Sequence, residues 1–249
     1  MSAMETGVDE ISPLCVTVRG LDEGRPVEEP AIRQALDKAL AAQGEFPCLT
    51  VANTIFPRRR WKPELGRERL FERYAKMLPT IKAADKRRNQ NGTYFERMIA
   101  FGPERPGLGK INQLEHIIST YKERGNHRRS ALQASIFDPA KDHTHQRQRG
   151  FPCLHQVSFV PLEDGKLAVT GFYATQYLFE KAYGNYLGLH DLGRFVAYEL
   201  DRELAELNCI ASVAKRGDPT KGRLANLAAE LRTILGEPGG GAPDREEVT

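Results

Sequence analysis

The chain has 249 residues, of which 40% are apolar and 28% are charged, and its 36 Lys and Arg against 33 Asp and Glu leave a formal charge of +3. This composition excludes a wholly disordered chain and is typical of a globular protein that buries a large apolar core. The near balance of charge also excludes a chain-wide positive field, so we do not expect nucleic acid as a partner.

The sequence carries no signal for a membrane or for secretion. No run of 18 consecutive apolar residues occurs, and positions 1–11 lack the basic start and apolar stretch of a leader. The four cysteines are widely spaced and form no CxxC pair, which disfavours a zinc ribbon or a small disulfide framework. We therefore expect a cytoplasmic protein with reduced thiols, no membrane partner and no metal.

One domain is expected to occupy positions 13–236. The first twelve residues are polar, and positions 237–249 are rich in Gly, Pro and charge, which predicts flexible segments at 1–12 and 237–249. Between them the apolar periodicity changes repeatedly between the spacing of helices and that of strands. This pattern predicts a single α+β domain.

The helices and strands are predicted from the spacing of apolar residues. Helical spacing is found at 30–42, 67–84, 111–124, 187–207 and 223–235. Alternation or extended composition is found at 14–18, 48–56, 130–137, 151–160, 166–175 and 209–214. Asp164-Gly165 supplies the two positive-φ positions of a tight turn, so the strands on either side of it are expected to form an antiparallel hairpin.

Several features occur in an order that resembles thymidylate synthase and the related pyrimidine-nucleotide hydroxymethylases. Arg128-Arg129 precede a strand, Phe151-Pro152-Cys153 opens the hairpin, and Asn185 lies near the start of a long helix. The resemblance covers roughly positions 111–214, with a weaker similarity over 14–101. It implies a mixed or antiparallel sheet flanked by helices, and a homodimer in which the sheet faces of the two subunits pack together.

The resemblance implies that Cys153 is the nucleophile that adds to C6 of a pyrimidine ring. Addition of a thiolate there turns C5 into a carbon nucleophile able to accept a one-carbon unit from a reduced folate. Arg149, four residues upstream, is expected to favour the thiolate. The alternative is that Cys153 is a small buried apolar residue, as free cysteines usually are.

Arginines are expected to hold the nucleotide phosphate, because the guanidinium fork matches phosphate oxygens. By resemblance, Arg128 and Arg129 reach across the dimer interface to the partner's nucleotide, and Arg58 lies in a phosphate-binding loop. The alternative for each is an ordinary solvated surface charge.

Asn185 is expected to read the pyrimidine edge, since an amide both donates and accepts hydrogen bonds. The alternative is that Asn185 caps a helix.

Two further residues complete the expected site. Tyr94 resembles the family tyrosine near the nucleotide, and Glu72 is taken as the glutamate that positions water. A separate motif, Asp142-His143-Thr144-His145, has a spacing that can bind a metal only if other ligands converge. A polar loop between two strands is the favoured interpretation of that motif.

The sequence also departs from the family. Where the family has Arg-Ser-x-Asp, which holds phosphate and folate, this chain has Ala174, Thr175, Gln176 and Tyr177. The family's histidine and tyrosine for the sugar are absent after position 214, where Lys215 is expected to supply a phosphate contact instead. The apolar C-terminal segment that closes over the substrate is also absent.

These departures leave three hypotheses. The first is C5 transfer of a methyl or hydroxymethyl group to a pyrimidine nucleotide through a covalent Cys153 adduct, with 5,10-methylenetetrahydrofolate as cofactor. Modified-nucleotide or secondary metabolism would suit this reaction better than thymidylate supply. The second is a nucleotide-binding regulator or effector that has lost folate chemistry. The third is covalent catalysis without folate, such as exchange or decarboxylation at C5.

Overall fold

The computed structural model of the protein describes residues 9–22, 24, 26, 28–107, 109–123, 128–145 and 151–236. Predictions that concern Arg149 and the terminal segments at 1–8 and 237–249 therefore lie outside the described residues. Pairing of the N-terminal strand begins at Glu10, three residues before the expected domain boundary at position 13.

The helices, in chain order, are α1 Pro30–Ala41, α2 Cys48–Ile55, α3 Gly66–Ala84, α4 Lys86–Asn89, α5 Tyr94–Ile99, α6 Gln113–Glu123, α7 Pro139–Asp142, α8 Tyr183–Glu199 and α9 Lys221–Leu235. Short 3₁₀ turns occupy Arg58–Arg60, Pro63–Leu65 and Arg129–Ala131, and a π-helical turn, Leu178–Ala182, leads into α8. The strands are β1 Glu10–Ile11, β2 Leu14–Val18, β3 Phe101–Arg105, β4 Gly109–Ile111, β5 Gln133–Ser135, β6 Leu154–Pro161, β7 Lys166–Tyr177 and β8 Glu203–Lys215.

The main sheet is mixed. Its order is β1-β8-β7-β6-β5, and β2 also pairs with β8, while β3 and β4 form a separate two-stranded ribbon. β7 and β8 are parallel and are joined by α8, and the other pairs in the main sheet are antiparallel. The expectation of one domain that combines helices with a mixed sheet is therefore confirmed.

Helix α8 crosses one face of the sheet and is the centre of the core. Leu189, Leu192, Phe195 and Val196 are fully buried, and they belong to the same apolar cluster as the strand residues and the helices α3, α5 and α6. A smaller cluster joins α1 and α9 beside the π-helical turn. Burial of apolar area of this kind is the main stabilising contribution to such a fold.

Helix α8 packs closely against α2 at two glycines, which lie against both the backbone and the side chains of α2. A Cβ atom placed on Gly184 would lie 2.6 Å from the carbonyl oxygen of Cys48, and one on Gly188 would lie 2.8 Å from that of Ala52. Any side chain at either glycine would therefore force the helices apart. This close approach fixes the start of α8, and with it Asn185, against α2.

The segment at 48–56 was wrongly predicted as extended. It forms α2, whose buried residues Cys48, Val51, Ala52 and Ile55 repeat at helical spacing and form the face toward the core. The β-branched residues of this segment favour strands in general, but helix propensity is a weak preference that packing overrides.

The helix predicted over 187–207 was wrong in its second half. Helix α8 ends at Glu199, Asp201 adopts a positive φ of 54°, and β8 begins at Glu203. No Gly or Pro marks the end of the helix, so in the sequence the apolar residues keep helical spacing past Glu199.

The hairpin prediction is confirmed, because Asp164 and Gly165 both have positive φ and join the antiparallel strands β6 and β7.

A buried ion pair anchors α5 to the segment around α7. Arg97 donates to both carboxylate oxygens of Asp142, at 2.6 and 2.8 Å, and to the carbonyl oxygen of Ile136 at 2.9 Å. Asp142 is therefore engaged in a structural ion pair, and the ring of His143 packs at a tilt against that of Phe137, with ring centroids 5.1 Å apart. These contacts are structural and pack the segment Asp142-His143-Thr144-His145 against its neighbours.

Among the residues that the structure describes, no helix combines the length and the apolar character needed to cross a bilayer.

Candidate functional site

A cavity of about 600 Å³ opens beside the C-terminal end of β7. Its walls come from α2, the segment from the end of α3 to the start of α5, the residues before β6, and the continuous stretch from β7 through the π-helical turn into α8. The residues that line the cavity include Glu45, Phe46, Asp85, Arg88, Thr93, Tyr94, Phe151, Cys153, Thr175, Gln176, Tyr177, Glu180, Lys181, Asn185 and Asp218.

Cys153 lies directly before β6, and its carbonyl oxygen accepts a hydrogen bond from Ala174 N on β7 at 3.0 Å. Its side chain is partly buried and lines the cavity. Burial raises the pKa of the Cys153 thiol, and the nearby ammonium of Lys181 opposes that increase by favouring the thiolate. The pKa of the Cys153 thiol therefore stays above its ordinary value, and Lys181 limits the increase.

Tyr94 lies beside the thiol at the first position of α5. The N-cap residue Thr93 fixes the start of this helix, because its hydroxyl accepts from Glu96 N at 3.2 Å. The Tyr94 hydroxyl lies near the backbone N–H groups of Cys153 and Leu154, and burial raises the pKa of this hydroxyl well above its ordinary value. Tyr94 is thus a neutral hydroxyl beside the backbone of Cys153.

Two buried amides line the cavity. Asn185 is 5% exposed, and within the described part of the chain its side-chain amide makes no hydrogen bond. Gln176 is 2% exposed, and its amide contacts Cys209 Sγ at 3.6 Å and accepts from the Tyr186 hydroxyl at 3.5 Å. Since buried polar groups normally have partners, the amide of Asn185 is available to a ligand.

One wall of the cavity is a network of charged side chains. Lys181 Nζ lies 2.9 Å from one carboxylate oxygen of Glu45, and Arg88 Nη2 lies 4.0 Å from the other. Arg88 also approaches Asp85 at 3.9 Å, and its guanidinium lies 4.7 Å from the ring centroid of Phe46. Both cations of the wall are therefore already paired with carboxylates.

Three of the residues predicted for the site are brought together by the fold. Tyr94, Cys153 and Asn185 line the same cavity although they belong to three separate elements of the chain. The residues at the departures from the family, Thr175, Gln176 and Tyr177, line it as well.

Three other predicted site residues that the structure describes lie outside the cavity. Glu72 is exposed on α3 and pairs with Arg69 at 3.0 Å, and Arg58 lies outside the cavity, 3.6 Å from Asp191. Lys215 is the exposed last residue of β8. None of the three is among the described residues that line the cavity.

Arg128 and Arg129 lie near the opposite end of β6 from Cys153. Arg129 donates to the carbonyl oxygen of Pro161, the last residue of that strand. At about 3.3 Å per residue the strand separates the two positions by roughly 25 Å. Within one subunit these arginines and the cavity are therefore separate, and a role across a dimer interface stays a prediction.

Sequence reasoning missed the charged wall and Glu180. Glu45 and Lys181 are 136 positions apart, and the ion pair between them exists only once the chain has folded. Lys181 and Glu180 lie between a predicted strand and a predicted helix, with no motif to distinguish them. The one available signal was their position between Tyr177 and Asn185, both already singled out.

No protein-family model matches this sequence, and a search of the curated proteins finds no significant match.

Proposed function

We propose that this protein adds the Cys153 thiolate to C6 of a pyrimidine nucleotide or nucleotide-like ligand, and so activates C5 to receive a one-carbon unit. The observation that carries the proposal is the convergence of Tyr94, Cys153 and Asn185 on one cavity. A nucleophile, a neutral hydroxyl and an amide without a partner in the described chain are the groups that such a reaction requires.

Each group has a separate role in the proposed reaction. As the sulfur of Cys153 bonds to C6, the electrons of the C5=C6 double bond move toward C5 and the ring carbonyl at C4. The amide of Asn185 would hold the ring edge by donating to one ring atom and accepting from another. Tyr94 would hold the segment that carries the nucleophile and present its hydroxyl beside the reacting carbons. C5 would then bond to the methylene carbon of a one-carbon donor as the bond from that carbon to the donor nitrogen breaks, and water would supply the hydroxyl of a hydroxymethyl product. Loss of the C5 proton to solvent and departure of the Cys153 thiolate, which restores the C5=C6 double bond, would complete the reaction.

The methylene donor that the resemblance implies is 5,10-methylenetetrahydrofolate, and the cavity fits it incompletely. The family aspartate that contacts folate is replaced by Tyr177, a phenol that is 42% exposed. The wall formed by Glu45, Arg88 and Lys181 places an ion-paired network in the same cavity. These features favour a second candidate, covalent activation of C5 for exchange or decarboxylation without a folate.

The test is the intact mass of the full chain after incubation with 5-fluoropyrimidine nucleotides and nucleosides, with and without methylenetetrahydrofolate. Fluorine at C5 cannot leave as a proton, so the covalent intermediate is expected to accumulate. Cys153→Ser is expected to abolish the adduct, whereas Cys15→Ser, which alters an exposed cysteine on β2, is expected to leave it intact.

Comparing the incubations with and without methylenetetrahydrofolate separates one-carbon transfer from the second candidate. A folate-dependent adduct lost in Cys153→Ser supports one-carbon transfer, and a folate-independent adduct supports the second candidate. If no fluoropyrimidine forms an adduct, covalent catalysis is excluded; a nucleotide that binds equally well to the wild type and to Cys153→Ser would then indicate a regulator.

A further inference from the structure

Glu180 places a buried carboxylate in the wall of the cavity. The residue is 8% exposed and lies in the π-helical turn between Tyr177 and Asn185. One of its oxygens, Oε1, accepts a hydrogen bond from Asp218 N at 2.6 Å. The other oxygen, Oε2, is buried without a hydrogen-bond partner in the described part of the chain. A buried acceptor without a partner is costly, which calls for a specific explanation.

The contact between Glu180 and the turn after β8 is close. A Cβ atom on Gly217, whose φ is +106°, would lie 2.2 Å from Oε2 of Glu180. Arg216 is next to Gly217, but its guanidinium pairs with Asp9 at 3.2 Å rather than with Glu180. The fold thus seats the carboxylate against a glycine, and within the described residues it forms no ion pair, although Nε and Nη1 of Arg216 are also buried without a hydrogen-bond partner.

The described lining of the cavity has an excess of negative charge. It contains four carboxylates, from Glu45, Asp85, Glu180 and Asp218, but only two cations, from Arg88 and Lys181. Both cations are already paired with Glu45, and Arg88 also approaches Asp85. Glu180 and Asp218 also line the cavity, and neither forms an ion pair within the described residues.

This charge distribution discriminates between ligands. A phosphate monoester carries about −1.5 to −2 charges at neutral pH. Inside this cavity it would meet unpaired carboxylates, or it would have to displace Glu45 from Arg88 and Lys181, and either event disfavours binding. Binding of a hydroxyl or an amine is favoured instead, because each donates a hydrogen bond that a carboxylate can accept.

We propose that the cavity selects a pyrimidine nucleoside that carries no phosphate, and that a hydroxyl or amine of its sugar donates to the carboxylate wall formed by Glu180 and Asp218. The inference rests on the proposed function for the identity of the base, which Asn185 would hold beside Cys153. It goes beyond that function by assigning the phosphorylation state of the substrate and the residues that select it.

The experiment is isothermal titration calorimetry of the full-length protein with matched ligands. Uridine and 2′-deoxyuridine are compared with their 5′-monophosphates, and 5′-amino-5′-deoxyuridine tests the amine as donor. We expect each nucleoside to bind at least about tenfold more tightly than its monophosphate, since loss of a charge-assisted hydrogen bond and gain of repulsion act together. The proposal is supported if either the nucleoside with a 5′-hydroxyl or the one with a 5′-amine binds most tightly, and the tighter of the two identifies the group that donates the hydrogen bond.

Glu180→Gln keeps an acceptor for Asp218 N while removing the charge, and in combination with Asp218→Asn it is expected to reduce the preference for the nucleoside about tenfold or more. Glu163→Gln, in the exposed turn between β6 and β7, is the matched control and is expected to leave the preference unchanged. The ranking of ligands on the wild type is a readout that does not depend on any variant folding.

The outcomes separate this inference from the proposed function. If the monophosphates bind as tightly as the nucleosides or more tightly, the inference is overturned while pyrimidine chemistry at Cys153 stands. If neither class binds, and no fluoropyrimidine forms an adduct, the proposed function fails and the inference fails with it.

Discussion

At the scale of single residues, the reactivity of Cys153 depends on two opposing effects. Burial raises the pKa of its thiol, and the ammonium of Lys181 lowers it. Because Lys181 is also paired with Glu45 at 2.9 Å, its position is set by a contact outside the immediate surroundings of the thiol. The cation that limits the rise in the pKa of Cys153 is therefore also part of the charged wall of the cavity.

Lys181→Met is expected to raise the pKa of the Cys153 thiol further. Only the thiolate reacts with iodoacetamide, so the rise in alkylation rate with pH should move to higher pH, and at pH 8 the rate should fall about threefold to tenfold. The measurement is the alkylation of the peptide containing Cys153, followed by mass spectrometry. Lys166→Met, which removes a lysine paired with Glu203 in the hairpin region, is the control. An unchanged pH profile in Lys181→Met would refute the role assigned to this ammonium.

At the scale of elements, the site depends on the backbone contact between α2 and α8. Gly188→Ala places a methyl group about 2.8 Å from the carbonyl oxygen of Ala52, so the helices must separate. We expect the free energy of unfolding to fall by about 1–3 kcal/mol, the usual cost of overpacking. Chemical denaturation followed by circular dichroism would measure the change.

Gly222→Ala is the matched control for this prediction. Gly222 lies in the first turn of α9, and a Cβ atom there would have no neighbour within 4 Å. Alanine at such a helical position is expected to be neutral or to stabilise the protein by up to about 1 kcal/mol. Equal effects of the two substitutions would show that the α2–α8 contact tolerates a side chain.

Elements were predictable from the sequence where a local signal was decisive. Asp164-Gly165 fixed the hairpin, because few residues adopt positive φ at both positions of its turn. The contact of Gly184 and Gly188 with α2 had no local signal, and α2 itself was misassigned because its β-branched residues outweighed its helical spacing. Tyr94, Cys153 and Asn185 were identified by resemblance, whereas the pairing of Glu45 with Lys181 depends on tertiary structure that no local pattern encodes.

At the scale of the whole molecule, the face of the main sheet opposite α8 is partly open. Phe172 is 38% exposed, Ile210 is its register partner on β8, and the ring of His155 lies 6.3 Å from that of Phe172. The resemblance to a dimeric family leads us to expect that two copies of the chain pack through this face. In such a dimer we would expect Arg128 and Arg129 of one copy to lie at the cavity of the other.

Phe172→Asp is expected to weaken this self-association, because a charge in the desolvated centre of an interface is strongly unfavourable. Analytical ultracentrifugation should show a dimer for the wild type and a dissociation constant at least about a hundredfold higher for the variant. Leu65→Asp alters another exposed apolar residue, in a 3₁₀ turn, and should leave the dimer intact. A monomeric wild type would contradict the expectation.

The chain connectivity of the cavity has a consequence for how the protein can be altered. Thr175, Gln176, Tyr177, Glu180, Lys181 and Asn185 belong to one short continuous stretch, while Cys153 lies before a different strand. A combinatorial library confined to positions 174–180 would vary Thr175, Gln176, Tyr177 and Glu180 and leave Cys153, Tyr94, Lys181 and Asn185 untouched. One wall of the cavity can thus be varied through a single short segment without altering the thiol or the ammonium beside it.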